Sequence, residues 1–375
     1  MCLTPRFSYD GHAPRALSLE EITSLAPEHL RDQIKFLPQW VYSYPSSILE
    51  CLWSTPFPLD DSHQAHYEFL QQQPGPRDNL RDWEDLQTAL GSTIKWNINK
   101  KNGAPEILLR LFIGGIFINL KENSLELISS QDNYPKVKQF EADVEIEINK
   151  LIKQHKYAVY PGEPPPDLKI ASLNVAIRPE KPDKRRLIQD FSANSLNPSC
   201  SPVESDYSSI RDLLWVCTPD DLIAGSDLKD CFYHWAVHPA SRRLLGLSFK
   251  KPGVFLFLPQ GLAISPGSND LGVKMVINAI DKLFNILTVD YVDDLRHKYK
   301  GLNKKEFTKA LFKAYVAKLV EAGFLMHLEE DGPSAVGKYL PPSSSTEWLG
   351  LIIDILNRTL DVTPDRKARY KQLTD

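Results

Sequence analysis

Two adjacent aspartates end an apolar segment in the C-terminal half of the chain. Residues 287–292 are mostly apolar and β-favouring, and they lead directly into Asp293 and Asp294. This pattern predicts a strand that carries both carboxylates at its end or at a hairpin tip. Neighbouring carboxylates repel each other unless a divalent cation lies between them, so the pair could bind a metal ion. Asp-Asp pairs are also common in turns, and an ordinary turn is the alternative for these two residues alone.

A second apolar segment ends in the same way. Residues 222–226 lead into Asp227, and Asp230 and Phe232 follow shortly after it. If the two strands are neighbours in one sheet, Asp227 and Asp293 form a site for two Mg²⁺ ions. Such a site serves in-line phosphoryl or nucleotidyl transfer, in which one metal activates the attacking hydroxyl and the other stabilises the leaving oxygen.

Basic side chains are concentrated in a segment that is predicted to form a hairpin. Residues 178–186 include Lys181 and Arg186 and carry several further basic side chains. Lysine and arginine side chains bind phosphate oxygens well, so this segment could grip a triphosphate. A solvated basic loop is the alternative for this segment on its own.

A glycine-containing loop lies between the two aspartate segments. Residues 258–261 include Gln260 and Gly261, and a glycine allows a ligand to approach the backbone closely. Ser265 followed by Pro266 predicts the start of a helix, because serine caps helices and proline fits the first helical position.

The elements that must position these groups follow each other without strict alternation. Hydrophobic periodicity predicts helices over residues 141–154, 208–216, 229–235, 265–284 and 304–322. It predicts strands over residues 173–178, 186–190, 222–227, 244–249, 254–258, 287–291 and 348–353. This order predicts an α+β fold that is built on an antiparallel sheet.

Composition excludes several classes of protein. The chain has 375 residues, of which 42% are hydrophobic and 25% charged, as in core-forming globular proteins. Its apolar segments are too short to span a bilayer, so no membrane association is expected. The five cysteines are scattered without a Cys-x-x-Cys pair, which argues against a disulfide framework or a thiolate zinc site and favours an intracellular setting. The net charge of −4, with the acidic excess in the N-terminal third, gives no bulk attraction to nucleic acid, so any such binding depends on local patches.

In this order, these segments resemble the motifs of retroelement reverse transcriptases. The segment from Asp227 to Phe232 is similar to the first catalytic-aspartate motif of the palm, and residues 291–294 to the Tyr-x-Asp-Asp box. Residues 258–266 resemble the template- and nucleotide-contacting motif, and Lys181 with residues 186–191 resembles the fingers segment. The segment Trp348, Leu349 and Gly350 resembles the primer grip. The resemblance covers roughly residues 141–365, and the order and spacing of the motifs make it specific.

The resemblance implies a right-hand polymerase of the α+β class. Fingers and palm, with an antiparallel palm sheet, would occupy residues 131–375 through the primer grip. Residues 1–130 would form an N-terminal extension of unknown role, and the thumb is expected to be missing. The implied activity is that of an RNA-directed DNA polymerase of a retrotransposon-like element, which adds dNTPs to a primer 3′-hydroxyl with two Mg²⁺ (or Mn²⁺) ions.

Residue roles follow from the same resemblance. Asp227 and Asp293 would ligate both metals, and Asp294 would complete the acidic site. Phe232 would lie under the sugar, where its ring excludes a 2′-hydroxyl and selects dNTPs. The nucleotide-binding residues would be Lys181, Arg186, Asp230, Phe232, Gln260 and Gly261, and the primer grip would be Trp348, Leu349 and Gly350.

The implied partners are an RNA/DNA template-primer, dNTPs and a ribonuclease H or other element-encoded domain in trans. No membrane partner is implied. An intracellular location, in the cytoplasm or the nucleus, is expected. Between subgroups, the sequence has features of both tyrosine-recombinase and long-terminal-repeat elements.

The sequence departs from the family at two points. The lysine usually found shortly after the segment matching residues 323–327 is missing, and Lys338 is the candidate to replace it. The strand after Asp294 contains Arg296, His297 and Lys298, where the family is usually more apolar. These departures leave open an alternative: a catalytically silent, reverse-transcriptase-derived scaffold protein or a truncated fragment. A viral RNA-dependent RNA polymerase is a third reading, which Val292 and Gln260 argue against.

Overall fold

The computed structural model describes residues 18–25, 28, 31, 115–121, 123–154, 156–160, 162–178, 181–300, 305–322 and 324–374. The extension predicted over residues 1–130 therefore lies mostly outside the described residues. The described residues fall into two compact units. The first unit contains residues up to 204 together with 232–269, and the second contains residues 205–231 together with those from 270 onward.

The secondary structure of these residues is mixed. The helices are α1 (Leu19–Leu25), α2 (Pro135–Gln139), α3 (Glu141–Lys153), α4 (Leu196–Ser199), α5 (Ile210–Val216), α6 (Ser265–Phe284), α7 (Lys305–Glu321) and α8 (Pro364–Thr374). The strands are β1 (Tyr157–Val159), β2 (Ile170–Arg178), β3 (Lys181–Asp190), β4 (Asp221–Asp227), β5 (Gly246–Phe249), β6 (Lys251–Phe255), β7 (Leu287–Tyr291), β8 (Asp294–Lys300), β9 (Leu340–Ser343), β10 (Ser345–Trp348), β11 (Leu351–Asp354) and β12 (Thr359–Val362). Short 3-10 turns connect some of them.

The first unit is built on a mixed five-stranded sheet with the order β1-β6-β5-β2-β3. Strands β2 and β5 run parallel, and the other neighbours are antiparallel. Helix α3 follows its predicted amphipathic pattern, because Val144, Ile148 and Leu151 are buried on one face. The predicted basic hairpin is confirmed, since β2 and β3 pair up to Arg178 and Lys181.

The second unit contains a four-stranded antiparallel sheet with the order β7-β8-β4-β9 and a three-stranded antiparallel sheet, β10-β11-β12. Every residue of β4 is buried, which agrees with the apolar run at its centre, although Asp221, Ser226 and Asp227 are polar. Leu213, Ile223, Val289, Trp348 and Ile353 belong to one core cluster, which joins α5 to both sheets. The unit therefore places the strands that end in aspartate inside a packed core.

Most predicted elements are confirmed, two are wrong, and the strand predicted over residues 254–258 begins and ends earlier, at Lys251–Phe255. Helix α6 and strand β7 match their predicted bounds. The predicted helix over residues 229–235 is only a short 3-10 turn at Cys231–His234, and Asp230 before it has a positive φ of 59°, which breaks helical geometry. The predicted strand over 348–353 is divided by Leu349 and Gly350, whose φ values of 48° and 75° suit a two-residue hairpin turn.

The coarse fold prediction is confirmed. Helices combine with antiparallel and mixed sheets, as an α+β fold requires. Among the described residues, no helix has both the length and the apolar character that crossing a bilayer demands.

Candidate active site

Strand register brings the three predicted aspartates to one edge of the four-stranded sheet. Asp227, the last residue of β4, lies opposite Asp294, the first residue of β8. Tyr291 pairs with Asp294 on the other side of β8, so Val292 and Asp293 form a two-residue hairpin loop. The amide of Leu228 donates to the carbonyl of Asp293 at 2.8 Å, which fixes the loop against the end of β4.

The hairpin loop carries backbone strain. Val292 has a φ of 61°, in the left-handed region that β-branched residues rarely adopt. A two-residue hairpin loop requires a positive φ, and a side chain there costs about 1–2 kcal/mol relative to glycine. Strained residues of this kind occur often at functional sites, where the surrounding structure holds them in place.

Basic side chains face two of the three carboxylates. Lys338 Nζ lies 2.7 Å from Asp227 Oδ1, and His327 Nε2 lies 3.4 Å from the same oxygen. The guanidinium of Arg296 forms an ion pair with Asp294. Two of the acidic groups therefore have cationic partners within the chain.

Burial works against the charged form of all three carboxylates. It raises the pKa of Asp227, although the hydrogen bond and the charge of Lys338 oppose the rise. It raises the pKa of Asp293, and the negative charge of Asp227 raises it further. It raises the pKa of Asp294 to about 6, against the opposing effect of Arg296. A bound cation would stabilise the charged form of the carboxylates in a half-buried cluster of this kind.

His327 lies between two carboxylates but favours its neutral form. Its Nδ1 is 4.0 Å from Asp331 Oδ2, and Asp331 also pairs with Lys229 at 2.6 Å. Burial lowers the pKa of His327, as do the charges of Lys338 and Lys229. The backbone holds this histidine in position, because its amide donates to the carbonyl of Asp227 at 3.1 Å.

The donor chemistry of Asp227 and Asp293 suits a hard divalent cation. Carboxylate oxygens are the ligands that Mg²⁺ and Mn²⁺ accept. In the described part of the chain, no group of three or more His, Cys, Asp or Glu side chains is arranged as a complete metal cage. Such a cage is not required, because Mg²⁺ in polymerase sites uses one or two carboxylates and takes its other ligands from substrate phosphates and water.

The three predicted primer-grip residues belong to the same unit. Trp348 ends β10 and is only 1% exposed, and Leu349 and Gly350 form the turn to β11. Arg296 Nη2 donates to the carbonyl of Glu347 at 2.7 Å, and its guanidinium lies 5.8 Å from the centre of the Trp348 ring. One arginine thus contacts both the acidic edge and this hairpin.

The predicted nucleotide-binding residues are divided between the units. Asp230 follows β4 in the second unit and is half-buried. In the first unit, Lys181 begins β3, and Arg186 is exposed on the same strand. Phe232, also in the first unit, is half-buried in the 3-10 turn.

The loop that contains Gln260 and Gly261 is fixed within the first unit. Gly261 has a φ of 86°, and a Cβ there would lie 2.5 Å from the carbonyl oxygen of Gln189. Asn197 Nδ2 donates to the carbonyl of Gly261 at 2.8 Å, and its Oδ1 accepts from the amide of Ala263. Gln260 is exposed beside this turn. Only glycine fits the conformation and the close contact at position 261.

The interpretation from sequence missed the roles of Arg296 and His327 around the carboxylates. Arg296 carried a usable signal, because it is a charged residue in a strand where apolar residues are expected. His327 carried none, since it reaches Asp227 through a strand pairing that is distant in sequence, the bridge between Leu228 and Met326.

Solved structures with a similar fold include those of a foamy viral protease-reverse transcriptase. The foamy viral protease-reverse transcriptase in complex with an RNA/DNA hybrid matches with a TM-score of 0.50 and 19% identity, over 66% of this chain and 30% of that one. A dRH form of that protein, in complex with double-stranded DNA, matches with a TM-score of 0.50 and 15% identity, over 84% of this chain and 49% of that one.

This chain therefore spans less than half the length of either protein that it matches. The sequence matches no protein-family model and no curated protein. At these identities the likeness shows the fold alone, and that fold is reverse transcriptase-like.

Proposed function

We propose that this chain is an RNA-directed DNA polymerase of a retrotransposon-like element, which adds dNTPs to the 3′-hydroxyl of a primer on a nucleic-acid template. The observation that supports this most is the register of β4 and β8. It brings Asp227, Asp293 and Asp294 to one edge of an antiparallel sheet, in a chain with a reverse transcriptase-like fold. In this proposal the second unit is the palm through the primer grip, the first supplies the fingers, and residues 1–130 are an extension.

Asp227 and Asp293 would hold two Mg²⁺ (or Mn²⁺) ions, and Asp294 would complete the acidic site. When bound, these ions activate the primer hydroxyl and stabilise the leaving oxygen. Lys338, whose ammonium reaches Asp227, is the candidate to donate a proton to the departing pyrophosphate, in place of the lysine that is missing earlier in the chain.

The remaining roles concern substrates. Lys181 and Arg186 would hold the triphosphate, together with the backbone near Asp230, and Gln260 and Gly261 would line the nucleotide pocket. Phe232 would exclude ribonucleotides by contact with the 2′-hydroxyl. The residues Trp348, Leu349 and Gly350 would position the primer end.

The proposed setting is intracellular. The partners would be an RNA/DNA template-primer, dNTPs and a ribonuclease H or other element-encoded domain in trans. The source would be an element of the long-terminal-repeat or tyrosine-recombinase type.

Primer extension tests the proposal. The substrate is oligo-dT on poly-rA with dTTP, and Mg²⁺ and Mn²⁺ are compared. The variant Asp293→Asn/Asp294→Asn removes two carboxylates, and Asp220→Asn, at an exposed aspartate outside the site, is the matched control. We expect extension by the wild type and the control and none by the double variant. A folded wild type that extends no primer would overturn the proposal for this chain.

A second candidate function has its own observation in favour. Lys338 and Arg296 already neutralise two of the three carboxylates, as in a site that works without metal. This arrangement would suit a catalytically silent, reverse-transcriptase-derived binding or scaffold protein, or a fragment of a longer polymerase. Mn²⁺ binding that depends on Asp227 and Asp293 would argue for the polymerase, and its absence would argue for the scaffold.

A further inference from the structure

A buried arginine lies behind the acidic edge of the second unit. Arg296 is the third residue of β8 and is only 3% exposed. Its guanidinium pairs with Asp294, and its Nη1 also donates to the carbonyl of Leu295 at 3.0 Å. Its Nη2 donates to the carbonyl of Glu347 at 2.7 Å, beside the ring of Trp348. The side chain therefore holds the start of β8 through a charge pair and joins it to β10 through a directed hydrogen bond.

The neighbouring strand leaves space for this side chain. Gly225 of β4 lies opposite Arg296 in the register of the sheet. A Cβ on Gly225 would lie 3.0 Å from Arg296 Nη1 and 3.1 Å from Cζ. The absence of a side chain at position 225 is thus what allows the guanidinium to cross β4 towards β10. Gly225 and Arg296 are therefore sterically coupled, because a side chain at position 225 would occupy the space that the guanidinium needs.

Burial makes the partners of Arg296 necessary. An isolated cation is expensive to bury, so a buried arginine persists only where charges and hydrogen bonds compensate it. Asp294 supplies the charge, and the carbonyl of Glu347 supplies a fixed acceptor. The planar guanidinium can satisfy both partners in a defined relative geometry, which the single ammonium of a lysine cannot do.

We propose that Arg296 is a positioning residue that holds the Asp293-Asp294 hairpin tip at a fixed distance from the Trp348 hairpin. This inference rests on the proposed function, in which the first hairpin holds the metals and the second holds the primer end. Under it, Arg296 sets the distance between the primer hydroxyl and the metal-binding carboxylates without contacting either substrate. Asp294 then completes the acidic site and also links it to Arg296 through the ion pair.

The variants Arg296→Met and Arg296→Lys test this role, with Arg211→Met, at an exposed residue of α5, as the control. Because a small misplacement of reacting groups costs a large factor in rate, we expect Arg296→Met to lower kcat roughly 10- to 100-fold. The KM for dTTP should change by less than about twofold, because it does not depend on the distance to the primer. Mn²⁺ binding measured by electron paramagnetic resonance should not weaken, because Asp227 and Asp293 remain in place. Arg296→Lys should recover part of the rate. An unchanged kcat in Arg296→Met would overturn the proposal.

Hydrogen exchange tests the same link without any activity. In Arg296→Met, amides of residues 293–295 and 347–351 should exchange faster together, whereas Arg211→Met should leave them unchanged. If the wild type extends no primer, this measurement alone decides the proposal, and unchanged exchange at both hairpins overturns it. If Arg296→Met does not fold, Arg296→Met/Asp294→Asn replaces it, because the double variant leaves no unpaired buried charge. In the double variant, too, the amides of residues 293–295 and 347–351 should exchange faster together than in the wild type.

Discussion

Removing the ammonium of Lys338 should destabilise the chain and increase its response to a divalent cation. Lys338 Nζ lies 2.7 Å from Asp227 Oδ1, and the side chains are 42% and 13% exposed. Two unit charges about 4 Å apart attract each other by about 4 kcal/mol at an effective dielectric constant of 20. Solvent screening of the lysine reduces this value towards the ~0.2–1 kcal/mol of surface pairs. We therefore expect Lys338→Met to lower the free energy of unfolding by about 1–2 kcal/mol at neutral pH.

The loss should depend on pH. Burial raises the pKa of Asp227 and of Asp293. The folded chain therefore keeps these protons to a higher pH than the unfolded chain does, and it loses stability as the pH rises through the folded pKa values. Lys338 opposes this loss for Asp227 while the carboxylate is charged. The difference between wild type and Lys338→Met should consequently be small at acidic pH, where the carboxylates are protonated, and largest near neutrality.

Urea denaturation in EDTA and in Mn²⁺ measures both effects. A metal that binds Asp227 must displace the ammonium in the wild type but not in Lys338→Met, so Mn²⁺ should stabilise the variant more. Lys282→Met, at an exposed lysine of α6, is the control. An equal response to Mn²⁺ in wild type and Lys338→Met would refute the competition. A loss in EDTA no larger than that of Lys282→Met would refute the ion pair as a source of stability.

Two further outcomes are expected in the second unit. Burial raises the pKa of Asp290 to about 7, so the wild type should lose stability as the pH rises through about 7, and Asp290→Asn should remove that loss. The urea midpoints at pH 5.5 and 8.5 measure this loss of stability. An equal fall of the midpoint between the two pH values in wild type and Asp290→Asn would contradict the prediction. Gly225→Ala should lower the free energy of unfolding by about 1–3 kcal/mol, because its Cβ would press on Arg296 and on Leu340 Cδ1 at 3.0 Å. Thermal unfolding of all four combinations of Gly225→Ala and Arg296→Met should show that Gly225→Ala costs less in the Arg296→Met background than in the wild type. An equal cost in both backgrounds would contradict the clash.

The edge that carries the aspartates was predictable because its signals are local. An apolar, β-favouring run that ends in a carboxylate occurs twice, at Asp227 and at Asp293, and each run forms a strand. Ser265 and Pro266 mark the start of helix α6 within one turn. The hairpin tip at the aspartates was predicted as well, but its two-residue length was not, because Val292 takes a positive φ that β-branched residues rarely adopt. In each case the information lies within a few residues of the element that it determines.

The two wrong elements show where local information fails. Apolar and aromatic spacing after Lys229 fits a helix, but Asp230 adopts a positive φ, and the amide of Lys229 bonds instead to the carbonyl of Leu325. At Trp348 the apolar run reads as one strand, although Gly350 provides the cue for a turn. Leu349 argues against a turn in the sequence, because a leucine rarely adopts a positive φ. Its φ of 48° is held by the pairing of β10 with β11, which the sequence does not reveal.

The polar character of β8 could be noticed in the sequence but not explained there. Lys298 pairs with Asp221 at 3.4 Å, and His297 Nε2 bonds to the hydroxyl of Ser226 at 2.7 Å. Together with Arg296, these residues are polar groups within a buried strand, and each finds a partner on β4 or β10 that is more than fifty residues away. A buried polar side chain requires a partner, so such a run implies a network whose members the sequence alone cannot name.

The network gives a physical meaning to the polar residues of β8, where the motifs that this sequence resembles are usually apolar. Apolar residues in β8 would leave the carboxylates at its tip to be stabilised by metal alone. Arg296 supplies Asp294 with a permanent counter-charge, and Lys338 supplies one to Asp227 that a metal can replace. The two cations therefore differ in kind: the arginine is 4% exposed at its side chain and fixed, and the lysine is 42% exposed and displaceable. Mn²⁺ should therefore abolish the effect of Lys338→Met on stability and leave that of Arg296→Met unchanged.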